Sequence, residues 1–186
     1  MLTDAQKEAL LRVARESIGS HLEKAVPVLP AALELPHASG VFVTITCGGE
    51  LRGCLGVLAM HGTLAEEVAR CARDSATIDP RFPPMQAREL VEASLEISVL
   101  GPLEEIDPLD ESAIVVGRHG LVVEDGRRRG LLLPQVAVEW GWTREPFLRQ
   151  TCRKAGLPDD AWRTGARVFR FDAEVFGEGH RHHAEG

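Results

Sequence analysis

The hydrophobic positions of this chain follow two rhythms. Leu11, Ala14, Ile18 and Leu22 recur at helical spacing behind Thr3-Asp4-Ala5-Gln6. In that tetrad the threonine oxygen can accept a first-turn N–H and the glutamine can reach back to the threonine backbone, which reads as a capping box. The spacing predicts an amphipathic helix over about residues 4–25. Pro27, Pro30 and Pro36 make the next stretch extended and irregular. Val41, Val43, Ile45 and Cys47 then share one face of a β-branched strand. Gly48-Gly49 is a turn with free access to positive φ, and Leu51–Leu58 is the returning strand of a hairpin. A second capping box, Thr63-Leu64-Ala65-Glu66, opens a helix to about Thr77, with Leu64, Val68, Cys71, Ala72 and Ser75 facing inward.

Asp79-Pro80-Arg81-Phe82-Pro83-Pro84 ends that helix in a proline-fixed loop. Leu95, Ile97 and Val99 alternate as a strand. Ile114–Val116 and Leu121–Val123 flank Gly117-Arg118-His119-Gly120, and Asp125–Gly130 is a glycine-bounded turn before Leu131–Leu133. Pro134 starts a short helix through about Trp140. Thr143 caps a further helix to about Ala155, with Gly156 at its C′ position and Pro158 beyond. Val168–Phe176 is a last strand, with Phe169, Phe171, Ala173 and Val175 expected on one face. Strands arrive in hairpins and helices are scattered among them. That predicts an α+β fold, an antiparallel sheet with flanking helices, rather than a doubly wound parallel sheet. No glycine-rich fingerprint joins a strand to a helix, so nothing supports a Rossmann or P-loop nucleotide site.

Composition narrows the class. The 186 residues carry 21 Lys+Arg against 28 Asp+Glu, a net charge of −7, which weighs against a general nucleic-acid surface. The length suits one domain with a real core. No apolar run reaches about 18 residues, so no membrane helix is expected. Met1–Asp4 lacks the basic and apolar regions of an export signal, and a cytoplasmic location is expected. Cys47, Cys54, Cys71 and Cys152 then read as reduced thiols. None of them is spaced C-x-x-C, and neither a metal nor a cofactor is expected.

Four places could carry chemistry. In Leu51-Arg52-Gly53-Cys54-Leu55-Gly56, strand alternation would put Arg52 and Cys54 on one face, where a guanidinium favours the nucleophilic thiolate. Gly53 and Gly56 would leave room for a ligand or for anion-binding N–H groups. The plain alternative is a small buried cysteine, a glycine bulge and a surface ion pair. In the proline loop Arg81 could clamp an anion, or Asp79 and Arg81 could simply pin the loop. His119, between glycines, could face a cleft as an acid or base, or lie on an exposed turn. Gln135 and Glu139, four apart on one helix face, could hold a polar substrate or form a wet outer face. Cys71 and Cys152 read as core. The tail of residues 178–186, with its histidines, reads as polar and disordered.

Taken in order, these motifs resemble the AMMECR-type domain family. Leu51-Arg52-Gly53-Cys54-Leu55-Gly56 is similar to its L-R-G-C-I-G hallmark, with Leu55 where many members have Ile. Asp79–Pro84, Leu95–Leu103, Gly117-Arg118-His119-Gly120-Leu121, Leu132–Ala137 with Glu139 and Trp142, and Cys152–Leu157 resemble its other motifs. The resemblance covers roughly residues 4–177 and implies a single domain over residues 1–177. It implies two unequal lobes with a cleft where Arg52, Cys54, Asp79, Arg81, His119, Gln135 and Glu139 would converge. It also implies company: bacterial relatives resemble the A component of the AmmeMemoRadiSam group, which occurs with a Memo-type protein and a radical SAM protein.

Two functions follow as expectations. One is a component of an enzyme system, with Cys54 as nucleophile or redox thiol and His119 or Glu139 as acid–base. Arg52, Gly53, Gly56, Asp79, Arg81 and Gln135 would then bind substrate. The other is a non-catalytic binding or adaptor module for a small molecule or modified macromolecule.

Overall fold

A computed structural model describes residues 1–26 and 33–179. Its elements in chain order are α1 (Asp4–Leu22), β1 (Gly40–Cys47), β2 (Glu50–Val57), α2 (Leu64–Thr77), α3 (Ala87–Leu90), β3 (Ala93–Leu100), β4 (Glu104–Ile106), β5 (His119–Asp125), β6 (Arg128–Leu132), α4 (Pro134–Glu139), α5 (Arg144–Lys154) and β7 (Arg167–Gly177). A 3₁₀ turn at Ala161–Arg163 precedes β7. The strand pairs are antiparallel, so the α+β reading holds. The described residues divide into two compact units, one of residues 1–26, 33–100 and 174–179, and one of residues 101–173.

In the first unit both capping boxes form: Thr3 and Gln6 exchange backbone and side-chain bonds at α1, and Thr63 and Glu66 do so at α2. These bonds satisfy N–H groups that a helix cannot satisfy itself. Val41, Val43 and Ile45 of β1 are fully buried against Leu10, Ala14 and Ile18 of α1 and Val68, Cys71 and Ala72 of α2. Gly48 and Gly49 both take positive φ (59° and 81°), the twist a two-residue hairpin needs. The sheet runs β2-β1-β3, with the last residues of β7 beside β3. Glu178 closes this corner: its carboxylate accepts from Arg15 Nε and Nη2 (both 2.6 Å) and from the Leu95 N–H (3.1 Å). Pro27 and Pro30 of the irregular stretch, and the tail from His180 onward, lie outside the described residues.

In the second unit β5 pairs with β6 and β7, and β4 pairs with the other edge of β7. Leu121, Val123 and Val168 pack with Ala137, Phe147, Leu148, Cys152 and Trp162. Cys71 and Cys152 thus sit in the two cores, as their helix positions imply. In β7, Phe169 and Phe171, opposite Val122 and Gly120 in an unbroken register, share one face as expected. Val168 is buried in this core, while Phe171 is buried on the opposite face over Gly120. Val175 is exposed, and Phe176 packs against the first core. Ile114–Val116 form no strand, and His119 opens β5 rather than sitting on a turn. Short α3 and β4 have no clear period in sequence.

Candidate functional site

Cys54 lies on β2, paired with Thr44 of β1, and its Sγ is 3.2 Å from Thr44 Oγ1. The residue is partly exposed. Its backbone is held from both sides by the proline loop. The Cys54 N–H donates to Asp79 Oδ2 (3.0 Å), and Arg81 Nη2 donates to the Cys54 carbonyl (3.3 Å). Arg81 also forks onto Asp79 through Nε (3.0 Å) and Nη2 (2.7 Å), and its own N–H reaches Asp79 Oδ1 (3.1 Å). The Asp79 side chain is 2% exposed and the Arg81 side chain 54%. The Arg81 guanidinium holds the Asp79 carboxyl far below the usual carboxylate range; burial opposes this, and the N–H groups of Cys54 and Arg81 assist. The Asp79–Arg81 pair therefore does pin the loop, and it pins Cys54 with it. The loop is tied back further where the Met85 N–H meets the Ala76 carbonyl (2.8 Å).

Arg52 does not follow the alternation argument. The β1–β2 register shifts between Ile45 and Thr46, which leaves Arg52 as the extra residue of a bulge. Its guanidinium forks onto Glu89 of α3 through Nε (3.0 Å) and Nη2 (3.3 Å). Nη1 is buried with no partner among the described residues. Arg52 also acts on the Cys47 thiol. Burial and Glu89 push the Cys47 thiol up, against a lowering by Arg52.

The glycines of the motif are occupied by the protein itself. A Cβ on Gly53 would stand 1.9 Å from the Ser75 carbonyl oxygen of α2, and one on Gly56 would stand 2.4 Å from the Phe42 ring. Gly53 lets α2 approach the sheet, and Gly56 accepts the ring beside it; on that side neither leaves space for a ligand. Ser75 completes the contact, taking the Leu55 N–H (2.8 Å) and donating to the Val43 carbonyl (2.8 Å). Sequence reasoning placed Ser75 on an inward face without a role. It had no signal for Thr44 or Glu89, whose partners come from strand register and a one-turn helix.

His119, Gln135 and Glu139 belong to the second unit. His119 is 4% exposed, so the exposed-turn alternative is excluded. Its Nδ1 accepts the Val115 N–H (2.9 Å), which places the remaining proton on Nε2. Burial pulls the His119 pKa down, helped by Arg170 and Arg118 and opposed by Asp172 and Glu104. Gln135 is partly exposed and Glu139 exposed on a six-residue helix, and neither side chain makes a hydrogen bond among the described residues. Among those residues no cluster of three or more His, Cys, Asp or Glu is placed to hold a metal, and no helix is long and apolar enough to cross a membrane.

An antiparallel α+β domain carrying an Arg-Gly-Cys strand buttressed by an Asp-Pro-Arg loop defines the class of this protein. The chain belongs to the AMMECR1 family, whose family model matches residues 11–176. A protein of Thermococcus gammatolerans is 44% identical over 189 residues, covering 95% of this chain and 92% of that one. A protein of Thermofilum pendens is 46% identical over 193 residues, covering 94% and 91%. The crystal structure of the uncharacterized protein PH0010 from Pyrococcus horikoshii superposes with a TM-score of 0.83 at 41% identity, covering 96% of this chain and 94% of that one.

Proposed function

We propose that this protein is a component of an enzyme system in which Cys54 is the reactive or ligand-contacting thiol, acting in the cytoplasm with Memo-type and radical SAM partners. One observation carries the reading. A partly exposed cysteine sits on backbone locked at both its N–H and its carbonyl by a carboxylate–guanidinium bracket. Fixing a backbone this firmly lowers the entropy lost when a side chain engages a ligand or an electrophile. Arg81, half in solvent beside the Cys54 carbonyl, supplies a positive charge for an anionic group of that ligand.

The chain contains its own controls. Native protein is treated with a small alkylating agent and modification is quantified cysteine by cysteine. Cys54 should react first. Cys47 should lag, because its thiol is pushed up, and Cys71 and Cys152 should react only on unfolding. Cys47 reacting as fast as Cys54, or unmodified Cys54, overturns the reactive-thiol role. Pull-down on tagged protein, with and without Cys54→Ser, tests the partners.

One observation favours the adaptor reading instead. The Cys54 thiol bonds only to a hydroxyl, and no carboxylate or imidazole bonds to it among the described residues. Turnover by the isolated protein would exclude that reading. Specific partner capture that survives Cys54→Ser would support it.

A further inference from the structure

His119 and Asp172 face each other across the β5–β7 ladder, and Arg170 is opposed by both Leu121 of β5 and Glu104 of β4. Direct cross-strand partners share a face. Glu104, Arg118, His119, Arg170 and Asp172, with Pro102 and Phe171, line a cavity of about 120 Å³ in the second unit. That volume holds several waters or a small organic molecule.

The chemistry of the lining is balanced. Arg118 Nε donates to Asp172 Oδ1 (3.0 Å), and Arg170 Nε donates to Glu104 Oε2 (2.9 Å). Arg170 Nη1 is tied to the Ala113 carbonyl (2.7 Å), which fixes that guanidinium. The His119 side chain is 6% exposed, and its Nε2 lies 3.9 Å from Asp172 Oδ1, too far for a hydrogen bond. With Nδ1 occupied by the Val115 N–H, Nε2–H has no protein acceptor among the described residues and is left for a ligand or water at the cavity that His119 lines.

We infer that this cavity binds the zwitterionic head of a small amino acid, its carboxylate on His119 Nε2–H and Arg118, its ammonium on Asp172 and Glu104. A bare anion would meet two carboxylates at short range, and a bare cation two guanidiniums. An uncharged ligand would not replace the water such groups give up. A ligand with separated, opposite poles satisfies both halves and keeps the lining neutral. The site is independent of Cys54 and stands or falls without it.

The test is titration of the full-length, ¹⁵N-labelled protein with glycine, read at the His119 side-chain nitrogens. Acetate and methylammonium are the single-pole arms, and inorganic phosphate is the plain-anion arm. A saturable shift with glycine is expected, with acetate, methylammonium and phosphate each at least about tenfold weaker. Arg118→Gln and Asp172→Asn should each weaken glycine binding about tenfold. Both side chains are mostly exposed, so the fold survives these changes. A non-saturating response to glycine overturns the proposal. So does acetate or phosphate binding as tightly as glycine and indifferent to Asp172→Asn, which would mark an anion site.

Discussion

Removing the Asp79 carboxylate tests whether the proline loop organises the Cys54 strand. In Asp79→Ala, the Cys54 N–H loses its acceptor and the Arg81 side chain loses its two bonds to Asp79, keeping the one to the Cys54 carbonyl. A buried N–H left unsatisfied costs about 1–3 kcal/mol. The ion pair adds less than a deep one would, because Arg81 is half in solvent and regains water. The sum is about 2–3 kcal/mol, or roughly 4–12 °C in Tm for a chain of this length. Arg81→Ala should cost at least as much at neutral pH, since it strands a 2% exposed carboxylate with only backbone N–H partners. The folded Asp79 pKa lies below its unfolded value, so its contribution is present above about pH 4 and fades as pH falls through the folded value. The gap between wild type and Asp79→Ala should therefore narrow in acid. The Arg81→Ala penalty should shrink too, as the stranded carboxyl takes up a proton. The readouts are urea unfolding followed by far-UV circular dichroism and hydrogen exchange at the Cys54 amide. Tryptophan fluorescence is unsuitable, because Trp140, Trp142 and Trp162 all lie in the second unit. Stability within about 0.5 kcal/mol of wild type, together with unchanged Cys54 amide protection, would refute the reasoning.

Three further changes have definite outcomes. Gly53→Ala should destabilise by about 2 kcal/mol or more, because its methyl would stand 1.9 Å from backbone oxygen and overpacking against backbone cannot relax; wild-type urea midpoints would disprove it. Gly120→Ala places a methyl 2.1 Å from the Phe171 ring, so Phe171→Leu should be less harmful in that background than alone, measured as a double-mutant cycle. His119 resists protonation when folded, first because it is buried and then because of Arg170 and Arg118, against Asp172 and Glu104. Stability should thus fall as pH drops below about 6.5, by at most about 1.4 kcal/mol per pH unit, and His119→Gln should flatten that slope in pH-resolved unfolding.

Much of the fold was legible because local rules decide it. Capping boxes, the period of 3.6 behind Thr3 and Thr63, and the Gly48-Gly49 turn act over a few residues, and each formed where the sequence put it. The elements without strong periodicity, α3 and β4, were not legible. They are short, and tertiary contacts hold them.

The amino-acid sequence by itself determined the α+β class, the cores under α1, α2 and α5, and which motifs carry the family. It named Arg52, Gly53, Asp79 and Arg81 around Cys54, though not Thr44 or Glu89, and left their jobs open, since a glycine, an arginine or a histidine looks the same whether it serves a ligand or a neighbour. Only the tertiary structure decided among those jobs. A one-residue bulge turned Arg52 toward Glu89, and the approach of α2 filled the space over Gly53. Strand register brought Asp172 opposite His119. The physical reason is range: capping and periodicity are written in neighbouring residues, whereas the partner Arg52 finds, the backbone that meets Gly53 and the residue opposite His119 lie tens of positions away.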